Sequence, residues 1–384
     1  MKKIILMGLF IIIIINMHKF QEKRETKEVK EEMRGVFISY IEISKYLKDQ
    51  EENISKQRII EMIDNCSKKK LNTIILQVRP ASDAIYNSKL FPVSTYLSST
   101  NIYPYDVLEF FIEESHKRKI KLIAWINPYR IKTNENIEEL LNNSPAYPYI
   151  GTDIIYIKNG IYWNPSKKET VYMIIKGIQE VLDYKVDGLL FDDYFYPDDD
   201  IDQIDYLNYQ KDHPSISIEE YHLEVVNNLI KKVYKECKKK KVLFGIAPEG
   251  NIDNNYHKNY ADVKRWLKED EYIDFIMPQL YYGFYNSTKP YLETLKEWSS
   301  IIENQSIKLL PALSIYKAGK FDQYAKEGKE EWINNQDIIM RQVLLSRNQK
   351  QYAGFSLFRY GNIFDDEINE YGKLEMYNLQ KILK

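Results

Sequence analysis

Eight short apolar runs set the frame. Each ends in polar or aromatic residues and gives way to a longer amphipathic stretch. They are 34–40 (RGVFISY), 73–79 (TIILQVR), 122–127 (LIAWIN), 188–193 (GLLFDD), 243–248 (LFGIAP), 275–280 (FIMPQL), 309–314 (LLPALS) and 354–359 (GFSLFR). None alternates strictly, as expected of parallel strands buried on both faces. Eight strand–helix units over about 350 residues predict an α/β chain folded as a (β/α)8 TIM barrel. The rival, a doubly wound sheet, lacks its GxGxxG turn here. The third and fourth runs are each followed by a long gap, which predicts extended βα loops around 128–163 and 194–216. Helix starts are read at Ser55, at Pro104 as a first helical residue, at Asn164-Pro165, and at the capping box Ser217 to Glu220.

The N-terminus predicts export. Lys2 and Lys3 precede the apolar run Ile4 to Ile15, broken only by Gly8, which is the pattern of a secretory signal and short for a membrane span. Residues 1–17 are therefore expected to be a signal sequence or short anchor, 18–33 a charged linker, and 34–384 the barrel. The expected location is extracytoplasmic, with membrane contact only through the N-terminal segment.

Composition narrows the chemistry. With 54 basic and 56 acidic side chains the formal charge is −2, which disfavours nucleic acid as a partner. Five histidines form no HxxxH or HExxH pair, and P-loop and GxSxG motifs are absent. Carboxylates alone would suit Ca²⁺ or Mg²⁺. The reading taken needs no metal and no cofactor. Cys66 and Cys237 are expected to be buried free thiols. Tyrosine is abundant, at 32 residues, so where these rings fall matters more than their number.

In a barrel of this type chemistry gathers at the strands' C-terminal ends. Those ends carry Ser39-Tyr40-Ile41-Glu42, Arg79-Pro80 with Asp83 and Tyr86 behind, Asn127-Pro128-Tyr129, Asp192-Asp193-Tyr194, Glu249-Gly250-Asn251, Gln279-Leu280-Tyr281-Tyr282, Tyr316, and Arg359-Tyr360. Glycoside hydrolysis needs two carboxyl groups flanking the scissile bond. Asp192 and Asp193 cannot be that pair while the strand persists, because adjacent side chains face opposite ways. One of them with Glu249 is the expected catalytic pair. Arg79, Asn127, Tyr129, Tyr194, Gln279, Tyr281, Tyr282 and Arg359 are the expected substrate-binding set, suited to sugar hydroxyls and ring faces. Trp125 is read as barrel core, and Asp198, Asp199, Asp200, Asp202 and Asp205 as solvated loop residues.

The segments RGVFIS, LNTIILQVRPASDAIYNSKLFP, IAWINPYR, DGLLFDDYFYP, FGIAPEGNIDNNY with DVKRW, and DFIMPQLYYG together resemble the bacterial glycosyl-hydrolase-like barrels of the YngK type. The resemblance runs from Arg34 through Tyr282 and more weakly to Tyr360. It implies a (β/α)8 barrel at the envelope acting on a polysaccharide, with cell-wall glycan, above all peptidoglycan strands, as the favoured substrate. Chitinase-like barrels carry DGxDxDxE on the fourth strand. Here Asp192 stands at the last Asp, while Leu190 and Tyr194 replace the second Asp and the acid Glu. That register favours Asp192 as the axis-facing carboxylate. The resulting expectation is an exported glycoside hydrolase cutting an N-acetylated glycan within the chain. The alternative is a glycan-binding barrel without catalysis.

Overall fold

A computed structural model describes residues 31–192, 195–365 and 370–383. The proposed leader 1–17, most of the linker, and both Asp193 and Tyr194 lie outside the described residues. Met33–Lys384 forms one compact unit.

The predicted barrel is present. Its first strands are β1 (Met33–Ile38), β2 (Thr73–Arg79) and β3 (Lys121–Ile126). Three short strands then form a separate antiparallel sheet, β4 (Arg130–Lys132), β5 (Ile155–Ile157) and β6 (Ile161–Trp163). The barrel resumes with β7 (Gly188–Phe191), β8 (Leu243–Ile246), β9 (Phe275–Ile276), β10 (Lys308–Leu309), β11 (Ala312–Leu313) and β12 (Gly354–Leu357). The order is β10-β9-β8-β7-β3-β2-β1-β12-β11, with parallel pairing throughout. β10 and β11 are two halves of the predicted seventh strand, separated at Leu310-Pro311. The first half pairs with β9 and the second with β12, which closes the ring. Proline has no N–H to give a ladder, but the Pro311 carbonyl still accepts from the Ser356 amide at 3.0 Å.

Strand alternation divides the apolar residues into two sets. Phe37, Ile75, Ile123, Trp125, Leu190, Ala247, Phe275, Met277, Leu310 and Ala312 fill the lumen. Their neighbours, such as Val36, Ile38, Ile74, Leu76, Ile126, Leu189 and Phe191, face the surrounding helices. A Cβ at Gly245 would lie 2.2 Å from Phe275 Cε2, so the absent side chain is what admits that ring. Phe37 and Trp125 meet edge to face with centroids 5.4 Å apart.

Helix starts follow the sequence less closely. The Ser217 capping box forms as predicted. Ser55 instead lies inside the helix Glu52–Lys68, and its hydroxyl meets those of Tyr103 and Tyr105 at 2.8 and 2.6 Å. Asp106, not a segment entered at Pro104, caps the helix Val107–Lys117. Asn164 makes a turn to the Ser166 amide, and the next helix is Lys168–Asp183. Both cysteines are buried and free. Among the described residues no helix is long and apolar enough to cross a membrane.

Two shell contacts generate tests. A Cβ at Gly177, inside the helix Lys168–Asp183, would lie 2.1 Å from Arg79 Nη1 and 2.6 Å from Phe91 Cε2. Glycine to alanine within a helix ordinarily gains about 0.5–1 kcal/mol. Here Gly177→Ala is expected to lose about 1–3 kcal/mol by overpacking, read from urea denaturation. The second contact is Glu375, whose carboxylate accepts from the amides of Ile338 and Ile339 at 3.0 and 2.9 Å. It thereby serves the start of the helix Ile338–Ser346, where Asp337 makes no capping bond. Burial nonetheless dominates and pushes its pKa up to about 7. The folded state then holds a proton that the unfolded state has lost, so stability falls as pH rises from about 4.5 to 7. A decline on the order of 2 kcal/mol across that window should shrink in Glu375→Gln, measured by denaturant melts at several pH values.

Candidate active site

β7 delivers Asp192 to the lumen. Leu190 faces inward and Phe191 outward, so the next side chain returns to the axis, where Asp192 is 4% exposed. Side-chain donors hold its carboxylate: the Trp125 indole N–H reaches Oδ2 at 3.1 Å, and the Asn127 amide donates to the same oxygen. Asn127 in turn accepts from Gln77 Nε2 at 2.7 Å, and Gln77 Oε1 accepts from the Tyr40 backbone N–H at 3.0 Å. A polar chain thus crosses the ends of β1, β2, β3 and β7, resting on the apolar plug below. Donors aimed at an ionised carboxylate fix its orientation and favour its charge. Asp187, at the other end of β7, binds the Leu122 amide and His116 and belongs to the opposite rim.

Glu249 comes from the neighbouring strand in the same phase. Ala247 faces the lumen, and its amide donates to the Phe191 carbonyl at 2.7 Å, so Glu249 stands one inward position above it. It is partly exposed. Among the described residues the one hydrogen-bond donor to its carboxylate is Asn254, 2.7 Å from Oε1. Gln279 pairs with it across the strand ends and donates to the Ala247 carbonyl at 2.9 Å. Tyr282 packs close to Gly250. Burial, and secondarily the Glu249 charge, push its phenol up to about 12.

The other half of the mouth is aromatic. Tyr281 lies 5.8 Å from Tyr316 and 5.7 Å from Phe358, which in turn lies 5.5 Å from Phe37. Carboxylates and amides from β2, β3, β7 and β8 therefore face rings carried by the ends of β9, β11 and β12. A pyranose needs both, hydroxyl partners and a flat apolar face.

Three expected binding residues lie elsewhere. In β2 the register shifts between Gln77 and Arg79, so that Arg79 pairs with outward-facing Ile126. This bulge turns the guanidinium into the shell, fully buried and 3.8 Å above the Phe91 ring, instead of into the mouth. Arg359 donates to Glu42, which also receives the Ser39 amide and hydroxyl and the Gly361 amide, and so joins the ends of β1 and β12. The capping-box spacing of Ser39 and Glu42 was the available signal for this pair. Tyr129 is 1% exposed and packs in the outer core, where burial drives its phenol far up. Tyr360 is likewise a shell ring, bonded to Asn65.

The loop aspartates are mostly engaged, against expectation. Asp202 is buried, held by His222 at 2.9 Å and by the hydroxyls of Tyr196 and Ser166. Asp198 binds Tyr156 and Lys158, and Asp205 binds Lys167 and Asn164. These contacts fasten the loop after β7 to the small sheet after β3. Among the described residues no three His, Cys, Asp or Glu side chains are grouped as a metal site.

A closed parallel barrel with Asp192 and Glu249 on one side of its mouth and an aromatic wall on the other is the class of architecture that glycoside hydrolases use. The sequence matches the family described as Glycosyl hydrolase-like 10 over residues 32–333, and the chain belongs to that family. Glycosyl hydrolase YngK of Bacillus subtilis (strain 168) is 31% identical over 382 residues, covering 91% of this chain and 71% of the relative. Glycosyl hydrolase DigH of Escherichia coli (strain K12) is 28% identical, covering 87% and 84%. Among solved structures, the PgaB (BpsB) glycoside hydrolase domain from Bordetella bronchiseptica superposes with a TM-score of 0.57 at 11% identity, covering 91% of this chain and 99% of that one. The endo-1,4-beta-mannanase from Rhizomucor miehei gives 0.55 at 11%, covering 92% and 95%. These structures share the fold, and the family supports glycan hydrolysis.

The polar chain is testable. Asn127→Ala removes one donor to Asp192 and leaves the Gln77 amide buried without an acceptor. A destabilisation of about 1–3 kcal/mol is expected in denaturant melts, with glycan hydrolysis falling at least tenfold.

Proposed function

We propose that the chain is an exported glycoside hydrolase that cuts an N-acetylated cell-wall glycan internally, with peptidoglycan strands as the favoured substrate. The observation that carries the reading is the phase of adjacent strands: Asp192 and Glu249 face one lumen, opposite the Tyr281–Tyr316–Phe358 wall. Asp192, held by the Trp125 and Asn127 N–H groups, acts as the ionised carboxylate that stabilises or attacks the developing oxocarbenium centre. Glu249, more open and bonded by Asn254, protonates the leaving oxygen. Gln279 and Tyr282 flank the acid and meet hydroxyls of the bound sugars. Asp193 and Tyr194 remain candidates for the same site on sequence grounds. The apolar N-terminal run supports export, and its charged sequel a tether outside the cytoplasm.

The test uses purified protein on peptide-free and peptide-bearing peptidoglycan, with products read by mass spectrometry. Asp192→Asn should lose at least a thousandfold on glycan and on an activated aryl glycoside alike. Glu249→Gln should lose as much on glycan yet keep part of its rate on the aryl glycoside, whose leaving group needs no proton. The reverse pattern would exchange the two roles. Full activity in both variants would discard this pair, and wall binding without new reducing ends would favour the non-catalytic barrel.

A further inference from the structure

The loops that carry the aromatic wall bear a further set of rings, open to solvent. The loop after β9 runs from Tyr281 to Tyr285, which is 66% exposed. The loop after β11 runs from Tyr316 to Phe321 and Tyr324, 53% and 77% exposed. Both leave strand C-terminal ends, so they stand on the face of the barrel that holds Asp192 and Glu249. They are also tied to each other. Lys317 donates to the Tyr281 carbonyl at 2.8 Å and to Asp322 at 2.6 Å. The Ser287 amide donates to the Ala325 carbonyl at 3.3 Å, and a Cβ at Gly328 would lie 2.2 Å from the Tyr285 carbonyl oxygen. The buried Glu331 carboxylate accepts from the Phe284 and Tyr285 amides, each at 2.9 Å. Tyr285, Phe321 and Tyr324 thus spring from one knot of fixed backbone, which a guest need not order.

The make-up of this surface selects its occupant. Exposed apolar residues on the other long loops include aliphatic chains, Ile150 and Ile157 after β3 and Ile204 and Leu207 after β7. Across 277–290 and 314–335 the large exposed apolar residues are all rings. Aliphatic patches suit a protein partner packed tightly enough to exclude water. Separate rings instead offer flat apolar faces with wet edges, the form that stacks on the C–H face of a pyranose. Charge agrees with this choice. Between Ile315 and Trp332 four lysines face Asp322, Glu327, Glu330 and Glu331, so the segment has no net charge to draw a polyanion such as nucleic acid. Lys329 Nζ, 5.5 Å from the Phe321 centroid, steadies that ring from one side.

We infer that Tyr285, Phe321 and Tyr324 form an accessory platform that binds sugar rings of a long glycan outside the cleft. The inference rests on the glycan reading above. It adds a second point of attachment that takes no part in bond cleavage. The bound strand need not run straight from the cleft, because attachment anywhere on this face raises the local concentration of polymer at the mouth. The effect is therefore confined to long or insoluble substrate.

The experiment compares insoluble peptide-free peptidoglycan with the soluble aryl glycoside, which needs only the cleft. Binding is read by co-sedimentation in the cold, with Glu249→Gln as the parent so that cleavage does not consume the polymer. Tyr285→Ser and Tyr324→Ser together should raise the Kd for the insoluble glycan about tenfold. The gap should persist in about 1 M salt, where charge contacts are screened. With Glu249 intact, the same pair should leave kcat/KM on the aryl glycoside within about twofold and the melting temperature unchanged, since both side chains are open to solvent. Phe321→Ser should act in the same direction. Tyr147→Ser removes an exposed ring from the loop after β3 and should change neither quantity. An unaltered Kd in the double variant, an equal loss in Tyr147→Ser, an equal loss on the aryl glycoside, or no sedimentation of the parent overturns the platform. Hydrolysis of the glycan by the unmodified chain alongside any of these leaves the catalytic reading standing. Ring-dependent binding by a chain that hydrolyses nothing sinks the catalytic reading and keeps the platform.

Discussion

The mouth depends on Trp125. Its ring is the top of the apolar lumen, packed edge-on against Phe37, and its N–H is one of the bonds that hold Asp192. An indole is suited to this boundary because one body can be buried among hydrocarbons while one edge donates. The carboxylate therefore stands on a rigid floor, and the level of that floor is set by packing below it, far from any substrate. Gly245 contributes from the other side by admitting Phe275, so the height of the plug reflects both a large residue and a missing one.

The loops above this floor are held by charge and hydroxyl contacts as well as by apolar burial, to which Ile161, Trp163 and Phe195 contribute. Asp198, Asp202 and Asp205 bind partners drawn from 156–167 and from the helix Ile218–Lys239. Two long insertions that are far apart in sequence thereby act as one wall. Asp202 is the buried member, and losing one of its partners would strand a polar group inside the protein.

The barrel was legible because parallel strands buried on both faces leave a signal in composition and spacing alone. The inward facing of Asp192 was legible from the register of its motif, whereas Glu249 was marked only by its neighbouring strand end, and its phase follows from that of Ala247 in the folded strand. Arg79 was not, because a single bulge at Val78 reverses the facing of the next side chain, and no residue type announces it. Asp202 was hidden for another reason: its partners Ser166, Tyr196 and His222 come from three segments whose meeting is a tertiary fact. Helix starts failed by a few residues: Asp106 took the capping role near Pro104, and the helices Glu52–Lys68 and Lys168–Asp183 begin with no side-chain cap at all. Glu42 and Arg359 show that a charged pair at a strand end can be a seam between first and last strands as readily as a sugar contact.

The outward turn of Arg79 has a thermodynamic consequence for the loop that springs from it. Its guanidinium is clamped between Phe91 and the helix at Gly177, and Phe91 belongs to the very loop that carries Asp83 and Tyr96. The loop is anchored at its root and again halfway along. A loop held this way has little conformational freedom left to lose. The entropy of ordering that loop is surrendered during folding, so its shape is settled before anything reaches the mouth beside it.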